Sequence, residues 1–598
     1  MTISRSNFIA MSVTMLAVLF LFQFSNLSVL YTSKATINHI AEEKIAVHAK
    51  ESVTAEVLKN DQDYTTAIIG SDSNFEANLA VEWCMYLKRS YARFEDLQEF
   101  YTNTSKNCTL LIINSIVVDT SADIRILEQT CSTKINIIFT SLPDTELIQS
   151  SKTLRNILGI HTIKSEAYQT SGMTIFEGFL LGGKTSYEKL KKNIPYFKLQ
   201  SGTKTYIVGE VKNQKKKKVT NEELPPIVWR YHTDKNFVFA VNTDFFSDHT
   251  GLGMLTSMLA ETEDYLIYPI VNAQAVLCQN YPYLSNENTD EISEKYYYQT
   301  QSLSQNVLWP DIISILDATG EKFSGMIAPK FEYSNSLDGV SSNTISFYYK
   351  QTEQVSGNLG LSGDQIEGGT FYDTKIKYDT KIFKQKVPSY IFTIFAPGKM
   401  PETIYKPYLT SKKENILSNI RTLVLNKENQ SEPILSFYND RILCMADTIN
   451  GFSHDNDEDL YLRSIETALG YCTTSLDFTQ VYYPTADSDD WTRLSKNLAK
   501  YMQTYWMEFR RGFDQMTVAE ADKCARRFLA LNYDTFRQGN TINLSIRNFQ
   551  KKASFILRLS NEKITSIKGG TYKKMEANVY VINADKKNVI LTVADSER

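Results

Sequence analysis

The feature that most constrains this chain is an uncharged apolar run near its amino terminus, Phe8 to about Tyr31, lying between Arg5 and Lys34. As a helix, such a run rises about 36 Å, enough to cross a hydrocarbon core of about 30 Å with some tilt. Gln23, Ser25, Asn26 and Ser28 make its second half more polar, so the apolar heart is Phe8 to Phe22. That heart also fits the h-region of a cleaved signal peptide. No A-x-A-like cleavage site follows before Lys34, however, so the sequence predicts an uncleaved signal anchor. Arg5 and the terminal amine, with no acid beside them, place the amino terminus in the cytoplasm and the bulk of the chain outside the cell.

The rest of the 598 residues has ordinary globular composition, 42% apolar and 22% charged. Lys and Arg number 64 against 68 Asp and Glu, a net charge of −4, which argues against nucleic acid as the main partner. The seven cysteines are scattered, with no CxxC pair, so neither a disulfide scaffold nor a thiol metal site is indicated. The six histidines form no HxH or HExxH arrangement, and no GxGxxG, Walker A or GxSxG motif occurs. No cofactor or metal is therefore expected.

The pattern of elements divides the chain into a signal anchor (1–34), a juxtamembrane linker (35–62), an α/β domain (63–264), a distorted (β/α) barrel (265–515), and a helix followed by a small antiparallel β-sandwich (516–598). In the α/β domain the apolar runs TTAIIG, TLLIIN and KINIIFT alternate with helix-length segments, as in βαβ units around a parallel sheet. The barrel region offers strand candidates at Leu266–Ala273, Lys322–Ala328, Asn358–Leu361, Tyr390–Ala396, Arg421–Leu425, Ile434–Phe437, Ile442–Met445 and Phe478–Tyr482. Helix candidates there include Pro310–Thr319, Thr344–Val355, Leu460–Thr473 and Trp491–Phe509. Ile434–Phe437 and Ile442–Met445 read as a hairpin, which a pure barrel would lack.

Three polar clusters stand out. Asp455, Asp457, Asp459 and Glu466 have the spacing of a calcium loop, but Leu460 stands where its glycine is needed, so helix-start carboxylates are the simpler reading. Asp487, Asp489 and Asp490 precede Trp491 as caps. Asp244, Asp248 and His249 follow the NFVFAVN strand beside Gly251 and Gly253, at a strand end where α/β ligands collect.

With the apolar run, Trp83 to Arg89, SGTKTYIVG (201–209), PPIVWR (225–230), FAVNTDFFSDHTGLG (239–253) and YPIVNAQ (268–274), the chain resembles domain-of-unknown-function family 2194. That resemblance implies a membrane-anchored protein of Gram-positive bacteria, from Pel-like exopolysaccharide loci. The α/β region resembles a class I glutamine-amidotransferase-like or flavodoxin-like domain without the cysteine elbow. The barrel resembles the polysaccharide deacetylase (NodB-like) fold, whose Asp base and Asp-His-His metal site lie on strand ends. Here Ser362 and Ile366 stand where the histidines would be, Asn272 is the only polar residue near the expected Asp pair, and Phe395-Ala396-Pro397-Gly398 keeps only the proline of the R-x-P-Y motif. Neutral Asn and Ser are poor ligands for a divalent ion, so no metal and no catalytic residue is assigned.

A barrel of this kind implies glycan contacts at strand ends, with candidates Asn272, Gln274, Lys330, Ser362, Asp364, Lys399, His454 and Asp455. The resulting expectation is a non-catalytic accessory of exopolysaccharide biosynthesis or export. It would bind the extracellular polymer, or a membrane-embedded synthase or export protein. The alternatives are a divergent carbohydrate esterase or glycoside hydrolase using the Asp455–Glu458 or Asp487–Asp490 carboxylates, and a scaffold acting through the α/β domain.

Overall fold

The computed structural model describes residues 47–596 apart from 213–218, 335–339, 368, 389, 427–431, 454 and 507–511, together with residue 45 and positions 11, 13–16 and 18. Most of the expected anchor, the Lys215–Lys218 run and His454 lie outside the described residues. Among the described residues no helix is long and apolar enough to cross a membrane.

Apolar runs buried on both faces form parallel strands, because helices cover both sides of such a sheet. Five of them run in the order Tyr91–Phe94, Thr66–Ile69, Leu110–Ile113, Asn136–Phe139 and Phe237–Val241, the flavodoxin-like arrangement. Four more strands continue the sheet antiparallel: Pro226–His232, Lys204–Glu210, Gly172–Ile175 and Thr185–Tyr187.

In the second sheet Ala273–Gln279, Phe323–Ile327, Asn358–Ser362, Ile394–Ala396, Thr422–Leu425 and Leu443–Ala446 are successive parallel neighbours. Tyr471–Asp477 lies parallel on the other side of Ala273–Gln279. The stretch 443–450 pairs with Thr422–Leu425 through its first part and with Tyr471–Asp477 through Ile449–Asn450. One segment thus joins both ends of the sheet and draws it round into a distorted barrel. The expected hairpin is present, with Leu435–Phe437 antiparallel to Leu443–Ala446. Ala275, Leu277, Met326, Ile394, Ala396 and Val424 fill the interior together with Val518. Val518 opens the helix Val518–Ala530, whose first N–H donates to Ser324 Oγ at 3.0 Å. This helix stoppers the barrel from the amino-terminal side and leaves the carboxyl ends of the strands as the mouth.

Two expectations are corrected here. Tyr265–Ile270 pairs with Ala553–Leu559 and belongs to the sandwich, so the first barrel strand is Ala273–Gln279 rather than Leu266–Ala273. The sandwich packs two four-stranded sheets, one of which takes this strand from mid-chain. Second, the last barrel strand is Tyr471–Asp477, not Phe478–Tyr482, which is a helical turn over Thr479–Tyr482. Gly470, at φ 55°, ends the preceding helix Asn456–Leu469 one residue before the strand Tyr471–Asp477 begins.

The barrel interior also buries ionisable groups. Glu466 accepts from Gln274 Nε2 at 2.9 Å, and its carboxyl is pushed well up, first by burial and then by the neighbouring Glu321. A carboxyl raised in the fold gives its full stabilisation below the ordinary range and loses it as pH climbs toward the folded value. Glu466→Gln, which keeps an acceptor for Gln274 and removes the ionisation, should therefore match the parent in melting temperature near about pH 5 and exceed it near about pH 8. Thermal unfolding at the two pH values checks this; a gap that shrinks with rising pH contradicts it.

Candidate functional site

Carboxyl ends of parallel strands are where barrels collect ligands, because the loops there are free to vary while the strands hold position. Four strands deliver polar groups to this mouth: Gln279 and Asn280 from the first, Ser362 and Asp364 from Asn358–Ser362 and the turn after it, Lys399 from the turn after Ile394–Ala396, and Asp477 from the last.

The side chain of Asn280 lies at the centre of this group. It is fully buried and held at φ 63°, a left-handed conformation that asparagine tolerates. Its Nδ2 donates to Asp364 Oδ2 at 3.0 Å, Asp477 Oδ1 at 2.7 Å and Thr479 Oγ1 at 2.7 Å, while its Oδ1 accepts from Ser362 Oγ. Gln279 Nε2 donates to the same Asp364 Oδ2 at 3.0 Å, and the Lys399 backbone N–H donates to Asp364 Oδ1 at 2.7 Å. Gly398, at φ 57°, makes the last bond possible: a β-carbon there would collide with Asp364 Oδ1. Burial first, and Asp364 second, push the Asp477 carboxyl up.

This arrangement does not fit a divalent ion. A cation at the strand ends needs lone pairs converging on it. Here the amide hydrogens of Asn280 and Gln279 take up carboxyl lone pairs instead, and the buried carboxylate of Asp364 already accepts from three donors. Among the described residues no group of three His, Cys, Asp or Glu converges to hold a metal.

The network floors one end of an open cleft of about 980 Å³. Gln279, Asp364, Lys399 and Asp477 line it with Glu402, Tyr405, Glu432, Phe437, Tyr438, Asp447, Asn450 and Glu458. Six carboxylates and a single lysine face its described part. Tyr438 OH donates to Glu402 Oε1 at 3.2 Å, fixing an aromatic ring on the rim. One wall, the Leu435–Phe437 strand, is held from the α/β domain: the Ile434 N–H donates to Glu82 Oε1 at 3.0 Å and the Leu435 N–H to Tyr86 OH at 2.9 Å. Burial pulls the His249 imidazole down, but Glu82, 3.2 Å away, more than offsets this and raises it.

Of the candidates read from the sequence, Ser362, Asp364 and Lys399 meet at the mouth. Four others do not. Asn272 and Gln274 lie at the opposite end of the first strand. Asn272 Nδ2 donates to Asp514, Ser554 and Asn583 against the sandwich, and Gln274 donates to Glu466 inside the barrel. Lys330 is buried 3.9 Å from Glu287, over the rings of Tyr333 and Tyr378. Asp455 caps Asn456–Leu469, accepting from the Asp457 and Glu458 N–H groups. Asp489 accepts from the Thr485 and Ala486 N–H groups, and Asp490 accepts from the Thr492 N–H to cap the next helix. Gln279, Asn280 and Asp477 were missed because the strand boundaries were misplaced. The polar pair closing the run AVLC-QN was the available signal.

Residues 184–371 match a family model described as an uncharacterised protein conserved in bacteria, DUF2194. The matched span contains Gln279, Asn280, Ser362 and Asp364 and ends before Lys399 and Asp477. No curated protein matches the chain in sequence. Among solved structures the chain is similar to that of Agd3, described as a novel carbohydrate deacetylase, at 10% identity over 88% of this chain and 98% of that one, with a TM-score of 0.47. It is also similar to alpha-L-fucosidase isoenzyme 2 from Paenibacillus thiaminolyticus (13% identity, 34% of each chain, TM-score 0.25). A beta-galactosidase from Rahnella sp. R3 aligns at 12% identity over 35% of this chain and 34% of that one, with a TM-score of 0.24.

Gly398→Ala should cost about 1–3 kcal/mol of stability, because it strains the backbone and displaces Asp364 from buried donors. Chemical denaturation checks this; an unchanged midpoint would show that Asp364 is not held as described.

Proposed function

We propose that this chain binds a polysaccharide in the barrel-mouth cleft and does not carry out metal-dependent deacetylation. The observation that carries the reading is the Asn280 amide, whose hydrogens take the Asp364 and Asp477 oxygens that an ion at this mouth would need, beside a cleft lined by carboxylates, amides and aromatic rings. Carboxylates and amides hydrogen-bond to sugar hydroxyls, ring faces cover their C–H surfaces, and an excess of carboxylates suits a polymer bearing free ammonium groups. The resemblance read from the sequence adds the setting: a membrane-anchored accessory with its bulk outside the cell, serving exopolysaccharide assembly or export and meeting polymer or a membrane-embedded synthase.

The test uses the full chain with an amine-bearing amino-sugar oligomer and its fully N-acetylated counterpart. Binding should favour the former and weaken at least ~10-fold in the Glu402→Gln/Glu432→Gln double variant, with a steep decline in added salt. No acetate should be released when zinc is supplied. Stoichiometric zinc uptake with acetate release would overturn the reading.

One observation favours a second reading, a metal-independent hydrolase. Asp477 lines the cleft with its carboxyl pushed up by burial and by Asp364, as a general acid requires. Reducing-end release from the same oligomer, abolished by Asp477→Asn, would establish it; intact oligomer after prolonged incubation rejects it.

A further inference from the structure

The loop after Phe237–Val241, singled out in the sequence for Asp244, Asp248 and His249, opens onto a second cavity. It has a volume of about 770 Å³ and lies at the carboxyl ends of the strands Asn136–Phe139 and Phe237–Val241. His249 takes no part in it, being buried against Glu82. We propose that this cavity is a second binding site, in the α/β domain, for a neutral saccharide unit.

The argument begins with Glu76. It lies in the first turn of the helix Phe75–Leu87, whose N-cap is Asn74. Its side chain reaches across to the end of Asn136–Phe139, where Thr140 Oγ1 donates to its Oε2 and Ser141 Oγ lies 3.4 Å from both carboxyl oxygens. In sheets of this kind the start of such a helix is the usual place for a phosphate. Here the chain's own carboxyl stands there, so an anionic ligand would meet like charge at close range. Burial pushes that carboxyl up, against the pull of the two hydroxyls, so it is suited to hydrogen bonding with uncharged partners.

The rest of the lining agrees. Lys192 Nζ lies 2.7 Å from Asp244 Oδ1, and this pair cancels its own charge; Lys191 and Asp144, the latter accepting from the Glu146 N–H, add one charge of each sign. Thr145, Asn193, Thr243 and Ser247 add uncharged donors and acceptors around a floor that includes the buried Phe246. Asn242 Nδ2, donating to the carbonyls of Pro195 at 2.8 Å and Pro226 at 3.0 Å, ties the two sides of the cavity together. A carboxyl, several hydroxyls and amides, and an apolar floor in a preformed pocket are what a ring of hydroxyls with one C–H face requires. The barrel cleft has a different character, lined by six carboxylates and one lysine in its described part, so the two sites select different units.

The experiment is calorimetry and saturation-transfer NMR on the full chain, with N-acetylglucosamine, its β1,4-linked tetramer, glucose, glucose 6-phosphate and inorganic phosphate as probes. Neutral sugars should bind in the millimolar range, and the phosphorylated probe more weakly than glucose. Ser247→Trp, an exposed position on the cavity wall, should reduce this binding at least ~10-fold, and Glu76→Ala should do the same. Both should leave the amine-bearing oligomer on the barrel unaffected. Glu402→Gln/Glu432→Gln should show the reverse pattern, which separates failure of this proposal from failure of the barrel reading. Neutral-sugar binding that survives Ser247→Trp, preference for the phosphorylated probe, or no neutral-sugar binding by the parent chain would each overturn it.

Discussion

The barrel mouth depends on one buried amide. Asn280 Nδ2 stands among Asp364, Asp477 and Thr479, and its Oδ1 takes the Ser362 hydroxyl. A buried carboxylate is costly unless its lone pairs are taken, and Asp364 meets that condition only because two amide side chains and one backbone N–H converge on it. The backbone after Ile394–Ala396 must then pass close enough to deliver the Lys399 N–H, which requires glycine at 398. Four strand ends are thereby fixed to one another before any ligand arrives, and the cleft beside them inherits a rigid floor.

The opposite wall is held by a different domain. Glu82 and Tyr86, one turn apart on the helix Phe75–Leu87, receive the N–H groups of Ile434 and Leu435. The same helix carries Glu76 at its first turn. A single rigid element thus lines the second cavity at its start and positions a wall of the barrel cleft through its middle. Trp83, between the two contacts, donates from Nε1 to Thr256 Oγ1 at 3.0 Å and seats the helix in the α/β core. The α/β domain is therefore part of the barrel site's construction.

Much of the architecture was legible in the sequence, and what was not has identifiable causes. Fully apolar runs such as LLII and the Thr517-to-Glu520 capping box specify their elements locally, and both appear where the pattern puts them. The hairpin at 435–446 was likewise visible as two short runs around turn residues. The first barrel strand was misplaced because YLIYPI and AQAVLCQ are adjacent and both β-forming; only long-range pairing with Ala553–Leu559 separates them. That shift of one strand moved the expected polar pair from Gln279-Asn280 to Asn272. Asp477 was hidden for a related reason: the apolar periodicity of Leu460 to Thr473 runs on past Gly470, whose left-handed φ stops the helix. Whether Lys330 or Gln274 faces a cleft or a core depends on contacts some forty to two hundred residues away, which local pattern does not encode.

The hydrogen bonding at the strand ends shows how the barrel mouth bears its buried charge. Removing an ion from a site built for one leaves carboxylates facing each other, and the fold bears the cost of unpaired buried charge. In this chain the buried Asp364 has its lone pairs taken by hydrogen bonds from neutral groups, and Asp477 is bridged to it through Asn280. Asn280 and Gln279 supply the N–H donors that Asp364 accepts. Two further carboxylates, Glu402 and Glu432, are exposed on the rim of the cleft, Glu402 within 3.2 Å of Lys406 Nζ, where they can meet a ligand from solvent.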